Sequence, residues 1–145
     1  MPGRGRIARL KTFPLQVGTP WQASAVLTAM DYDVHLYTDA ETGEDAIVYR
    51  AGPTGLRLAR QHSMHPPSTP ASAPTPVIPP VTVNPRRVLT LTAAEAADRL
   101  ASGWLPFVFY TDRDSRRGNL LYRRYDGDLG LIDTTVPTDQ TDDLQ

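Results

Sequence analysis

The sequence predicts an α+β protein of two tandem β-α-β-β-β modules, each a small antiparallel sheet with one helix. Three observations carry that expectation. First, the chain repeats itself. Displaced by 73 residues, Thr19, Ala23 and Leu27 fall on Thr92, Ala96 and Leu100, and Tyr37-Thr38-Asp39 falls on Tyr110-Thr111-Asp112. Tyr49-Arg50 falls on Tyr122-Arg123, and Leu56 and Leu58 on Leu129 and Leu131, all without a gap. Second, each copy carries one helix-start signature. Third, each follows its helix with three short apolar segments separated by turn residues.

The elements follow in order. "RLKTFPLQV" alternates apolar and polar residues and reads as a strand, with Pro14 suggesting a sheet edge. "TPWQ" then places Thr19 at the N-cap, Pro20 at N1 and Gln22 at N3; "TAAE" places Thr92 and Glu95 likewise. Both are capping boxes, in which two side chains satisfy backbone N–H groups that have no partner within the helix. Ala23, Val26, Leu27 and Met30 continue at helical spacing. The second helix is less apolar, with Arg99 in place of Val26, and Gly103 is expected to end it. "DVHLYTD" and "FVFYTD" are the next strands. The turns "AETGED" and "RDSRRGN" lead to "AIVYR" and "LLYRR", and the turns "AGPTG" and "YDGD" lead to "LRLA" and "LGLI". Asp126-Gly127 reads as a type I′ turn, where glycine supplies the positive φ.

These assignments divide the chain into a first module at 1–63, a Pro-rich linker at 64–85, a second module at 86–135 and an acidic, frayed tail at 136–145. The linker, "HPPSTPASAPTPVIPPVTVNP", has no period and favours extended backbone. Fully extended it would reach roughly 60 Å at about 3 Å per residue.

Composition excludes several classes. Cysteine is absent, so disulfides, thiolate metal sites and cysteine nucleophiles are ruled out, which fits a reducing cytoplasm. A net charge of −1 gives no global field to draw nucleic acid or an anionic membrane. No apolar run approaches the roughly 18–20 residues of a membrane span, and the basic start "MPGRGRIARLKTF" is not followed by the apolar core of a secretory signal. The expectation is a cytoplasmic protein that is not an enzyme and takes no cofactor.

Side chains alternate faces along a strand. Phe107 and Phe109 point one way, Val108 and Tyr110 the other; Leu120 and Tyr122 share a face, with Leu121 opposite. In the first copy Val34 and Leu36 oppose His35 and Tyr37. Both faces of each sheet are therefore apolar, and one short helix covers only one of them. A module of about 50 residues is also marginal alone. Two modules packed face to face, within one chain or across a homodimer, would remedy both defects. The linker would hold the copies at an effective concentration of order mM, and a strand-swapped arrangement is equally compatible.

"KTFPLQVGTPWQASAVLTAMDYDVHLYTDAETGEDAIVYR" and "LLYRRYDGDLGLI" resemble the C-terminal domain of long ribosome hibernation promoting factors, the sigma-54 modulation/S30EA C-terminal family. That family reads Lys-x-Phe-x-Leu, a capped helix, an aromatic-rich strand, an Ala-Glu-Thr-Gly-type turn, Val-Val-Tyr-Arg-Arg and then Asp-Gly-x-x-Gly-Leu-Ile. The resemblance covers about residues 9–60 and 86–133. The first copy departs from it at "YRAGPTGLRLA", which lacks the second Arg and the Asp-Gly turn. The resemblance implies a domain that dimerises through its sheet and joins two small ribosomal subunits into an inactive pair under starvation or hypoxia. A separate basic N-terminal domain, with no counterpart here, makes the ribosome contact. The partners so implied are the chain itself, a full-length hibernation factor and the small ribosomal subunit. By resemblance the pairing face is carried on Val34, Leu36, Ile47, Tyr49, Phe107, Phe109, Leu121 and Tyr122, with their alternating neighbours Tyr37, Val108 and Tyr110. Which of the two faces meets the partner is open.

Sharper chemistries fall away. "DRDSRRG" from Asp112 begins like a calcium loop, but Arg117 and Arg123 stand where an EF-hand needs Gly and an acid. His62 and His65 offer two imidazoles without a third ligand. No nucleophile–base–acid set or phosphate loop appears. Arg116, Arg117, Arg123 and Arg124, with Tyr122 and Tyr125, are candidate RNA contacts, which leaves a stand-alone RNA binder as the alternative function. Against it, Asp112, Asp114, Asp126 and Asp128 interleave with those arginines and suggest cross-strand ion pairs. A third function is a decoy that pairs with a full-length hibernation factor.

Overall fold

The computed structural model describes residues 7–13, 15–52, 55–64, 81–84, 86–103, 106–124 and 127–134; most of the linker and the acidic tail lie outside them. The backbone divides into two compact units, one of residues 16–88 and one of residues 1–15 with 89–145. We call them the N-terminal and C-terminal units. Each holds one helix and one five-stranded mixed sheet.

In the N-terminal unit, β2 (Val17–Gly18), α1 (Pro20–Ala29), β3 (Val34–Asp39), β4 (Asp45–Ala51) and β5 (Gly55–Arg60) follow in chain order, and β6 (Val81–Val83) returns to the edge. The sheet order is β2-β3-β4-β5-β6, with β3-β4-β5 antiparallel and both edge strands parallel to their neighbours. The C-terminal unit takes β1 (Ile7–Phe13) from the start of the chain and adds β7 (Thr90–Leu91), α2 (Ala93–Ser102), β8 (Phe107–Asp112), β9 (Gly118–Arg123) and β10 (Leu129–Thr134). Its order is β1-β10-β9-β8-β7, again with a central antiparallel meander and parallel edges.

The helices start as their sequences dictate. Thr19 Oγ1 accepts from the Gln22 N–H at 3.1 Å while Gln22 Oε1 accepts from the Thr19 N–H at 2.9 Å. Thr92 and Glu95 repeat the exchange at 3.1 and 2.9 Å. Two N–H groups at each helix start are thereby satisfied. Gly103 ends α2, but in extended rather than left-handed backbone. Arg123 Nη2 reaches back from the end of β9 to the carbonyls of Leu100 and Gly103 and satisfies the helix terminus instead.

Each helix covers one face of its own sheet. Ala23 and Leu27 pack on Tyr37, Ala46, Val48, Leu56 and Leu58, with Val81 and Val83 of β6 at the margin. Ala96 and Leu100 pack on Val108, Tyr110, Leu121, Leu129 and Leu131, with Leu91 alongside.

One expectation changes form. The stretch "RLKTFPLQV", read as a single strand, is two strands in two sheets: β1 ends at Phe13 beside β10, and β2 begins at Val17 beside β3. Similarly, β6 lies inside the Pro-rich stretch read as linker, where Val81 and Val83 supply apolar side chains to the N-terminal core. The first strand of each copy thus completes the sheet of the other.

Candidate functional site: the helix-free sheet faces

Register fixes which side chains share the face away from the helix. In the N-terminal unit Leu36 lies beside Ile47 and Ile47 beside Ala59; one row on, Val34 lies beside Tyr49 and Tyr49 beside Arg57. The C-terminal unit has the equivalent rows Phe109–Leu120–Ile132 and Phe107–Tyr122–Gly130. Ile47 is 1% exposed and Leu120 2%, as buried as the helix-side core although they belong to neither helix-side cluster. Leu36 and Ala59 are also buried, and Val34, Tyr49, Phe107, Phe109, Tyr122 and Ile132 are half-buried.

The structure therefore sorts the residues expected to pair. Val34, Leu36, Ile47, Tyr49, Phe107, Phe109 and Tyr122 lie on the helix-free faces. Tyr37, Val108, Tyr110 and Leu121 lie on the helix side, inside the cores. Leu120 and Ile132 join the helix-free face through the β9 and β10 registers.

Tyr122 shows how closely this face is fitted. An added Cβ on Gly130 would stand 2.2 Å from Tyr122 Cζ, so the phenol ring lies directly over the glycine of the neighbouring strand. Only glycine admits a ring there. In the N-terminal unit Arg57 holds the equivalent place, and Tyr49 Oη instead accepts from Asn84 Nδ2 at 2.6 Å, just beyond β6.

The Tyr-Arg pair that recurs in the sequence thus has two jobs on two faces. The tyrosine dresses the helix-free face. The arginine ties the strand end to the helix: Arg50 Nε donates to the Tyr32 carbonyl at 2.9 Å and its Nη2 to Asp31 at 3.1 Å, as Arg123 does to Leu100 and Gly103. Sequence reasoning grouped Arg123 with candidate RNA contacts and missed this role. The signal available was the fixed spacing from each capped helix to its Tyr-Arg.

Of the remaining candidate RNA contacts, Arg116 has φ 65°, at the turn position where the first copy has Gly43 with φ 77°. Its N–H donates to the Asp112 carbonyl at 2.8 Å. Arg117 follows in the same β8–β9 turn, and the Arg124 N–H donates to the Asp128 carbonyl at 2.8 Å in the β9–β10 turn.

The end of the N-terminal sheet carries a buried polar cluster. Arg60 Nε donates to Asp39 Oδ2 at 2.8 Å, its Nη2 to Glu41 Oε1 at 2.8 Å, and Tyr37 Oη to Asp39 Oδ2 at 3.2 Å. Burial, and then the Asp39 carboxylate, push the Tyr37 phenol well above its ordinary range. His35 sits half-buried between the rings of Tyr32 and Tyr37, with centroids 6.0 and 6.1 Å away, and burial lowers its pKa. Beside it, a cavity of about 40 Å³ runs along Gly18, Gln22 and Val26, room for about one water rather than a ligand. Among the described residues no group of three or more His, Cys, Asp or Glu side chains is placed to hold a metal ion, and no helix is long and apolar enough to cross a membrane.

A capped helix on one face of a five-stranded mixed sheet, with an apolar second face, defines a small α+β sheet module. Residues 3–58 match the family described as the sigma 54 modulation/S30EA ribosomal protein C terminus, and the chain belongs to that family. Two curated relatives, from Mycobacterium tuberculosis strains CDC 1551 and H37Rv, carry the name dormancy associated translation inhibitor. Each is 55% identical to this chain over 139 residues, covering 92% of this chain and 50% of the relative. The chain spans about half the length of the curated relatives it matches.

Proposed function

We propose that this chain is a translation-regulating factor of the ribosome hibernation type, working by association rather than catalysis. We propose further that its modules pair through the helix-free sheet faces. The observation that carries this reading is the apolar row on each such face, Leu36–Ile47–Ala59 and Phe109–Leu120–Ile132, which the module's own helix does not cover. The family match and the relatives' name support the ribosomal role. On this reading the protein works in the cytoplasm, where ribosomes are, and its partners are the small ribosomal subunit and other modules of the family.

Two measurements test it. The tagged chain is added to a mycobacterial translation extract, and both protein synthesis and sedimentation with ribosomal particles are followed. Wild type is expected to lower synthesis and to travel with small subunits or paired ribosomes. Phe109→Asp, which places a charge in the apolar row, is expected to expose apolar surface and weaken both effects. A wild-type chain that stays at the top of the gradient and leaves synthesis unchanged overturns the ribosomal role. A Phe109→Asp chain that keeps full effect and binds no apolar dye overturns the pairing face.

A further inference from the structure

The edges that receive β1 and β6 carry an inference that deepens the pairing reading and rests on it. The two exchanged strands sit in equivalent registers. Leu10 lies beside Leu131 in the C-terminal unit, and Val83 lies beside Leu58 in the N-terminal unit. Both members of the second pair are equivalent, by the 73-residue repeat, to members of the first. The exchange is therefore reciprocal.

The chain has no alternative for β1. If β1 lay on the edge of β5 in its own copy, at the register it adopts beside β10, Phe13 would stand next to Gln61, the equivalent of Thr134. Val17 must stand next to Thr38. Gln61, Asp45, Thr38 and Val17 form one row across the sheet, through the Gln61 N–H to Asp45 carbonyl bond and the β4–β3–β2 pairing. From Phe13 to Val17 would thus be four strand spacings, about 19 Å. The four residue steps between them reach at most about 14 Å. The first strand cannot close its own sheet and has to add to another copy's.

From this we infer that the open edge of β10 is a strand-accepting site whose alternative occupant is the first strand of a second copy of this chain. The occupant from the same chain wins because a long connection, Gln61 to Pro80, lets β6 return parallel to β5. A parallel return needs about a dozen residues or more. The intrachain and interchain forms have the same strand pairings and differ mainly in effective concentration, which the linker sets on the order of mM. Linker length is then the switch between a self-satisfied monomer and a strand-exchanged dimer.

The absence of cysteine makes the test direct. Lys11 and Ile132 are neighbours across β1 and β10. Chains carrying Lys11→Cys and chains carrying Ile132→Cys, with different tags, are unfolded together in urea, refolded at rising concentration and oxidised. The expected result is an interchain Lys11→Cys/Ile132→Cys disulfide whose yield rises with concentration toward the mM range, and none when the chains are mixed already folded. In a second experiment both substitutions share one chain. With the full linker the oxidised protein is expected to run as a cross-linked monomer. With residues 66–77 deleted it is expected to run as a covalent dimer. Refolded mixtures with no interchain disulfide at any concentration, or a shortened chain that is a folded monomer, overturn the inference. Neither readout involves ribosomes, so a failed hibernation role leaves this result standing, and a failed exchange leaves the ribosomal role to its own test.

Discussion

At the end of its sheet the N-terminal unit buries Tyr37, Asp39 and Arg60 together, whereas the C-terminal unit has Tyr110, Asp112 and Asp133 at the equivalent places. Asp39 is 0% exposed and is held by Arg60, itself 3% exposed. Asp112 is half-buried, caps its own turn through the Ser115 N–H at 2.9 Å, and has no arginine in the place of Arg60. Burial of Tyr110 raises its pKa, and its hydroxyl accepts from Asn119 Nδ2 at 3.5 Å. The fold does not require the ion pair. The depth at which the turn aspartate sits does, because a buried carboxylate without a partner is costly.

The largest expected effect breaks that contrast. Arg60→Asp installs the residue of the second copy in the first and leaves Asp39 buried beside another acid. It should cost about 3–5 kcal/mol, a large share of the ~5–15 kcal/mol typical of a whole domain, and should appear as a lowered urea midpoint. The mirror change, Asp133→Arg, faces a half-exposed aspartate and should shift stability by no more than about 1 kcal/mol. Comparable losses from the two changes would show that the cluster is not what stabilises the N-terminal unit.

What the sequence made legible follows the range of the interactions concerned. The capping boxes were readable because their bonds join residues three apart, Thr19 to Gln22 and Thr92 to Glu95. Strand alternation was readable for the same reason, and it separated Val34 and Leu36 from Tyr37. Which face the helix would take was not readable, because both are apolar. It was settled by Ala23 and Leu27 packing on Tyr37 and Val48, and by Ala96 and Leu100 packing on Tyr110 and Leu121. The fate of "RLKTFPLQV" was hidden too, since it depends on a reach across four strands. Pro14 and the short step from Phe13 to Val17 were the available signals. The buried Arg60–Asp39 pair joins residues 21 apart and left no local pattern.

A second contrast lies on the helix-free face. Gly130→Ala would drive a methyl group into the Tyr122 ring and should cost about 1–3 kcal/mol. Tyr122→Ala in the same chain should abolish most of that added loss, since the clash has then gone. Arg57→Ala, at the equivalent place beside Tyr49, should be within about 0.5 kcal/mol of neutral. Denaturant titrations of the single and double variants measure the coupling, and simple additivity would mean that the ring does not rest on Gly130.

The β3–β4 and β8–β9 turns differ in the opposite sense, with the first copy better suited. Gly43 and Arg116 both hold left-handed backbone, φ 77° and 65°, which strains any residue with a Cβ. Arg116→Gly should therefore stabilise the chain, by about 0.5–1 kcal/mol once the entropy of glycine is set against the relief. Gly43→Arg should cost a similar amount. Thermal melts of the two variants moving in the same direction would refute the equivalence of the turns.

The smallest effect concerns pH. His35 is lowered by burial from its ordinary value of 6.5, while Val108 fills the same place in the second copy. The unfolded chain takes up a proton at His35 as pH falls through about 6.5, whereas the folded chain resists it until lower pH. Stability contributed by the neutral imidazole is therefore full above pH 6.5, is lost as pH falls toward the folded pKa, and then levels off. His35→Val, borrowing the second copy's residue, should flatten that part of the stability profile while leaving stability near pH 8 within about 1 kcal/mol. A profile between pH 7 and 5 that keeps its slope in the variant would assign the acid sensitivity to other groups and leave the Tyr32–His35–Tyr37 stack a purely packing feature.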